Sequence, residues 1–320
     1  MFFILAGWEW FRIARQSENR NLRRSAAISC AAIFLWGSPQ PYKYLTQGWD
    51  KWRPVAAELT PEYRVAKWVE SQNPRGRVMA SGGTRYRLNN ITSLEQTGGT
   101  FETGLRNRTP VHYDYQIRTS IGSEDGSQGA DAVTQLKAMG VEYVVVHGPG
   151  SKEFYRDHSH PYKFDAILER VYAEGGDMVF RLPFKSYANL IRPDEIPRWA
   201  RPPKYIGSYV AVIEDYNRSQ LTTKWLNVNE LEIKGSVERD SFVAVRVSWD
   251  PGWEALQDGT PIELTPDVLG FMLLKARPAE NSTILLRYRG TTEQKTMAGV
   301  SGLAWVLAIG WLIGSWRRRS

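Results

Sequence analysis

Twenty consecutive residues near the C-terminus, Met297 to Trp316, carry no charge: MAGVSGLAWVLAIGWLIGSW. A helix of that length is about 30 Å long, the thickness of a bilayer's hydrocarbon layer. Arg317, Arg318 and Arg319 follow at once, the flank expected where a span stops on the cytoplasmic side. The segment 296–320 therefore reads as a transmembrane helix with a basic tail. Gly310 and Gly314 have the spacing that lets helices approach in lipid, so other transmembrane helices are expected partners there.

The N-terminal end carries a shorter version of the same signal. No charged residue lies between Arg24 and Lys43, a run at the lower limit for a span. Arg12, Arg15, Arg20, Arg23 and Arg24 precede it as a basic loop, which the positive-inside rule places in the cytoplasm. Met1–Phe11 reads as the tail of an earlier span, so the chain is expected to be the C-terminal part of a longer polytopic protein. Residues 1–42 are then membrane segments. The large middle part faces the extracytoplasmic side of a bacterial cytoplasmic membrane, with the lipid bilayer as a partner.

Charge supports this placement and argues against nucleic acid. Lys and Arg number 41 and Asp and Glu 34, a net +7. The five N-terminal arginines against Glu9 and Glu18, with Arg317–Arg319, supply 8 − 2 = +6 of it. The middle is nearly neutral and offers no basic face. Cys30 is the single cysteine, so the middle has neither a disulfide nor a thiol nucleophile.

The middle reads as two soluble units. The first, 43–191, is expected to be a small α/β domain. Thr60-Pro61-Glu62 opens a helix by capping, and Val65, Trp68 and Val69 form its apolar stripe. Arg77–Ser81 reads as a strand and Gly82–Gly129 as long loops. A helix runs from about Ala130 to Met139 and stops at Gly140. Val141–His147 reads as a buried strand. Ala166–Ala173 and Asp177–Leu182 form a hairpin through Gly175-Gly176. Four prolines in Arg192–Pro203 mark an extended linker, 192–206. Beyond it, 207–295 shows short alternating strands, beginning with Tyr209–Glu214, and Asp258-Gly259 signals a tight hairpin. An all-β sandwich follows from that pattern. The fold class expected is α+β, a small α/β unit followed by a sandwich, flanked by transmembrane helices.

Motifs for chemistry are sparse. Gly148-Pro149-Gly150 lacks the lysine and helix of a phosphate loop, and no G-x-S-x-G elbow occurs. His158-Ser159-His160 sits in a polar stretch that reads as a solvated loop rather than a metal pair. His147, at a strand end, reads as structural. Glu124-Asp125 and Asp194-Glu195 read as solvated turns. No metal and no cofactor are expected. Trp199, between Arg198 and Arg201, and Trp249 and Trp253 in the sandwich are candidates for stacking on a glycan; packing is the competing role for each.

Ser248-Trp249-Asp250-Pro251-Gly252-Trp253-Glu254-Ala255, then Asp258-Gly259, then Leu286-Arg287-Tyr288-Arg289 before a terminal span, resembles the C-terminal end of the bacterial YfhO-type membrane proteins, relatives of the GT-C glycosyltransferases. Gly140–Val146 resembles that family's GV-x-Y-V strand. The resemblance implies a polytopic protein that assists transfer of sugars from a lipid-linked donor to an envelope glycan or other acceptor. The alternative is a membrane-tethered glycan-binding or scaffold module without catalysis. In the GT-C enzymes the catalytic acids lie on an early exterior loop, to which nothing here corresponds. No catalytic residue is therefore carried over, and whether the chain is an enzyme stays open. A sugar-transferring role for acids in Gly82–Gly129 is the enzyme reading that the residues alone leave available.

Overall fold

A computed structural model describes residues 56–98, 106–196, 206–215 and 217–317, together with 12, 15–17, 19–37 and 43; the side chains of 30–37, 312 and 315–317 lie outside the description. The chain divides into two compact units, Met1–Ala57 and Glu58–Ser320. The first contains helix α1, Arg20–Gly37. Asn19 caps it, its Oδ1 accepting from the Asn21 N–H at 3.0 Å and the Leu22 N–H at 3.4 Å. The basic stretch is thus partly helical: Arg20, Arg23 and Arg24 form the first turns of α1 rather than a loop.

The second unit is α+β. Its first elements follow the capping signals. Helix α2 spans Pro61–Ser71, and Thr60 Oγ1 accepts from the Tyr63 N–H at 3.3 Å. Val65, Ala66 and Val69 are fully buried on one stripe. Strand β1, Arg77–Met79, pairs in parallel with β2, Val141–His147. Helix α5, Gln128–Ala138, packs before β2, and Gly140 with φ +71° makes the turn between them. Strands β3, Glu169–Glu174, and β4, Asp177–Arg181, form the expected hairpin through Gly175 and Gly176, both at positive φ. The sheet order is β1-β2-β4-β3.

Gly82–Gly129 is not a set of long loops. It holds α3, Gly82–Ile91, and α4, Thr109–Thr119. Weak propensity is overridden by tertiary contacts: Leu88, Tyr113 and Ile117 are fully buried. Buried ion pairs tie the two helices together. Asp114 on α4 lies 3.2 Å from Arg85 on α3 and 2.8 Å from Arg118 one turn on. Arg118 continues to Asp157 at 2.9 Å, and Asp157 accepts the Gly82 N–H at 3.1 Å.

The first sheet is covered on both faces. Val65, Val69 and Leu88 meet Tyr143, Val145 and Val179 on one side. Tyr113, Leu136, Tyr209 and Ile213 meet Val144, Val146 and Phe180 on the other. This double cover is why every residue of β2 is buried.

A two-sheet antiparallel sandwich follows. One sheet has the order β10-β9-β13-β7-β6 and the other β11-β12-β8-β5. The strands are β5, Ala188–Ile191; β6, Thr222–Asn227; β7, Glu230–Val237; β8, Phe242–Ser248; and β9, Trp253–Gln257. They continue with β10, Thr260–Pro261; β11, Glu263–Pro266; β12, Phe271–Lys275; and β13, Ala279–Tyr288. Val243, Val245 and Val247 of β8 enter the core with Leu231, Ile233, Met272 and Ile284, the face that alternation predicts. The hairpin after β9 turns at Asp258 and Gly259, both at positive φ.

The proline-rich segment does not separate two independent bodies. β5 precedes it in sequence yet pairs with β8. Tyr209–Glu214, expected as a strand, lies in helix α6, Gly207–Ile213, and its last residue caps the end. Tyr209, Val210 and Ile213 point into the core under the first sheet. Arg246, on the outer face of β8, is buried and bonds the Lys137 carbonyl at the end of α5 at 2.6 Å and the Ser186 carbonyl. Burial lowers its pKa to about 10.

Helix α7, Thr292–Arg317, follows β13 after three intervening residues and contains the uncharged run. Met297, Val300, Leu303, Trp305, Val306, Leu307, Ile309, Trp311 and Ile313 are each 52–73% exposed, on every side of the helix. Beta-carbons placed on Gly299, Gly302, Gly310 and Gly314 would meet nothing within 4 Å. Among the described residues no helix is long and apolar enough to cross a membrane. The uncharged run of α7 extends to Trp316, past the last side chain described.

Candidate functional site: an aromatic cleft at the foot of the C-terminal helix

The turn between β8 and β9 builds the site. Asp250 Oδ1 accepts the Gly252 N–H at 2.8 Å, and the Asp250 carbonyl accepts the Trp253 N–H at 3.0 Å. A beta-carbon on Gly252 would lie 2.6 Å from the Tyr288 ring. Glycine there lets Tyr288 close on the turn, and Trp253 packs on Tyr288 at 5.3 Å between centroids, tilted by 59°. Trp225 joins from the far side at 6.4 Å.

Trp249, Trp253 and Tyr288 line a cleft of about 500 Å³. Its other walls come from distant sequence: Arg77 of β1, Gln96, Arg106 and Asn107, Met139, and Gln294 of α7. Arg106 Nε lies 3.5 Å from Asp250 Oδ2. Asn107 donates to the Gly270 carbonyl at 2.9 Å and to Ser248 Oγ at 3.3 Å, and accepts the Thr109 N–H at 3.0 Å. It thereby clamps the start of α4 against the sandwich. Arg77 donates to the carbonyls of Met139 and Arg246 at 2.7 and 2.6 Å and stacks 4.8 Å from the Tyr187 ring centroid. The result is a groove with aromatic faces and several fixed polar groups, the composition of a small-ligand site.

The cleft reaches the base of α7. Gln294 Oε1 accepts the Thr291 N–H at 3.0 Å, while Thr291 Oγ1 accepts the Gln294 N–H at 3.2 Å. This is a reciprocal capping box. Tyr288 adds its hydroxyl, donating to Gln294 Oε1 at 3.2 Å.

Two of the three tryptophans singled out from the sequence thus line one cleft. Trp199 lies outside the described residues. Arg77, Arg106, Asn107, Tyr288 and Gln294 were not singled out as site residues. Tyr288 stands in the stretch Leu286-Arg287-Tyr288-Arg289, 35 positions after Trp253, and like the others it reaches the cleft through long-range packing.

A second polar constellation is sealed. His147 Nδ1 donates to Asp177 Oδ1 at 2.7 Å, and Thr84 Oγ1 donates to His147 Nε2 at 2.9 Å. Ser151 also donates to Asp177. The order resembles a nucleophile, base and acid. However, Thr84, His147 and Asp177 are only 0–2% exposed. The network holds the loop after β2 against α3. His158, expected in a solvated loop, is buried against Phe164 at 6.3 Å, edge to face. His160 stays exposed. Among the described residues no group of three or more His, Cys, Asp or Glu is placed to hold a metal ion.

No protein-family model matches the chain, and neither curated proteins nor solved structures include a significant match.

Proposed function

We propose that this chain is a membrane-anchored, extracytoplasmic module that holds a glycan or the saccharide head of a lipid-linked sugar against the outer face of a bacterial cytoplasmic membrane. In this reading α7 is the anchor, and the module serves sugar transfer in a protein like the YfhO and GT-C families. The observation that carries the reading is the position of the cleft. Gln294 lines it, and the uncharged run begins at Met297, about 4.5 Å further along at 1.5 Å per residue. In this reading the apolar side chains exposed on every side of α7 face lipid. The cleft then opens at headgroup height. Trp253 and Tyr288 offer flat faces to a sugar ring, and Arg106 and Gln294 offer polar groups to its hydroxyls.

A binding role is favoured over a catalytic one because Asp250, the one carboxylate lining the cleft among the described residues, is engaged by Arg106 and by the Gly252 N–H. It shapes the turn instead of acting on a ligand.

The test uses the full chain in lipid nanodiscs, titrated with saccharides released from bacterial envelope polymers and followed by tryptophan fluorescence. Saturable quenching is expected, with Trp253→Ala weakening it roughly tenfold, the equivalent of losing about 1.4 kcal/mol of stacking. Protease added to intact cells should remove the module. Absence of saturation, or protection of the module in intact cells, refutes the reading.

A further inference from the structure

The cleft is one of two hollows that meet at Trp249. The second, about 480 Å³, is lined by Arg106, Asn107, Arg108, Thr109, Trp249, Val268 and Gly270. Arg106, Asn107 and Trp249 line both. Each hollow falls within the roughly 300–1,000 Å³ that buries a small ligand. Trp249, Arg106 and Asn107 are therefore the wall that the two hollows share. Its main chain is fixed, the Trp249 N–H donating to the Gly270 carbonyl at 2.9 Å. Its indole N–H, by contrast, has no acceptor among the described residues. That N–H is buried, and the ring packs against the apolar core of the sandwich.

The two ends differ in chemistry. The end near α7 is aromatic, with Trp253 and Tyr288. The other end presents the Arg108 guanidinium and Thr109 at the start of α4. A single ring unit would fill one hollow and leave the other empty.

We propose that the groove takes an extended glycan chain of at least two units, which passes Trp249 from one hollow into the other. This rests on the glycan reading above and narrows it: the ligand is an oligosaccharide strand, with one unit stacked on the Trp253–Tyr288 pair and the next held by Arg106 and Arg108. Trp249 packs between the two units and reads the link.

The test is a glycan array graded from single sugars to octasaccharides of bacterial surface polysaccharides, probed with the full chain in nanodiscs. Chains are expected to bind at least tenfold tighter than their own terminal single sugars. Trp249→Ala removes that gain, and Arg108→Glu, at an exposed position, reduces it severalfold. Thermal unfolding of each variant is measured alongside; if Trp249→Ala proves unfolded, Arg108→Glu decides. Single sugars binding as well as chains, or a length gain that survives in a folded Trp249→Ala and in Arg108→Glu, overturns the proposal and leaves the glycan reading standing. A wild-type chain that retains nothing of any length overturns both.

Discussion

Replacing Asp114 with alanine tests whether buried ion pairs, rather than local propensity, hold α3 and α4 in place. Asp114 is 2% exposed, and the arginines that share it, Arg85 and Arg118, are 6% and 12% exposed. The substitution leaves both guanidinium groups in the interior without their common carboxylate. Removing one partner of a buried pair costs about 3–5 kcal/mol. Arg118 keeps Asp157 at 2.9 Å, so the lower figure, about 3 kcal/mol, is expected here. In a unit the size of Glu58–Ser320 that is a fall in Tm of about 5 °C. The assay is urea or thermal unfolding followed by circular dichroism, on wild type, Asp114→Ala, and a variant with Asp114, Arg85 and Arg118 all replaced by Met or Leu. The triple variant should cost less than Asp114→Ala alone, since desolvation of three charges is relieved. A loss below about 1 kcal/mol for Asp114→Ala, or a triple variant worse than the single one, refutes the reasoning.

Other outcomes follow from buried groups. His158 is buried with both ring nitrogens unpartnered, and burial, then Lys163 and Arg118, push its pKa well below 6.5. The unfolded chain therefore binds the proton more readily, and stability falls as pH drops below about 6.5, by up to about 1.4 kcal/mol per pH unit; the difference between wild type and His158→Leu, measured by denaturant titration from pH 7.5 to 5.5, should show that slope. Arg246→Met removes the bonds to the Lys137 and Ser186 carbonyls, and a loss of about 2 kcal/mol in the same titration is expected, less than the gross bond energies because a buried charge is also removed. Gly82 sits at φ +60° with its would-be beta-carbon 2.1 Å from the Tyr155 carbonyl oxygen, whereas Gly126 at φ +86° has nothing within 4 Å; Gly82→Ala should cost about 2 kcal/mol more than Gly126→Ala, and equal Tm values for the two would disprove the close approach.

Legibility of the sequence followed the kind of force involved. The sandwich strands were readable because one face is greasy and the other is not: Val243, Val245 and Val247 announce β8, and Asp258-Gly259 announces the turn after β9. Helix α2 was readable because Thr60, Pro61 and Glu62 are local signals. The helices α3 and α4 were not, since Gly82, Gly83, Asn89 and Asn90 argue against a helix and the pairing of Arg85 with Asp114 spans 29 positions. Tyr209–Glu214 is a short, β-branched apolar run like a buried strand, yet Tyr209, Val210 and Ile213 also share a helical stripe. Its core contacts decide, with the Tyr209 hydroxyl donating to Asp267 at 2.9 Å. In the cleft, Trp249 and Trp253 stood out by type, while Arg77 and Asn107 arrive from far along the chain and carry no local mark.

Only Arg289, Gly290 and Thr291 separate the last strand from α7, and the capping box with the Tyr288 hydroxyl ties both ends of that neck. Such a joint is stiff. A helix leaning within its surroundings works as a lever on Tyr288 and Gln294, and each degree of tilt is delivered as torque to the wall of the groove instead of being absorbed by a slack tether.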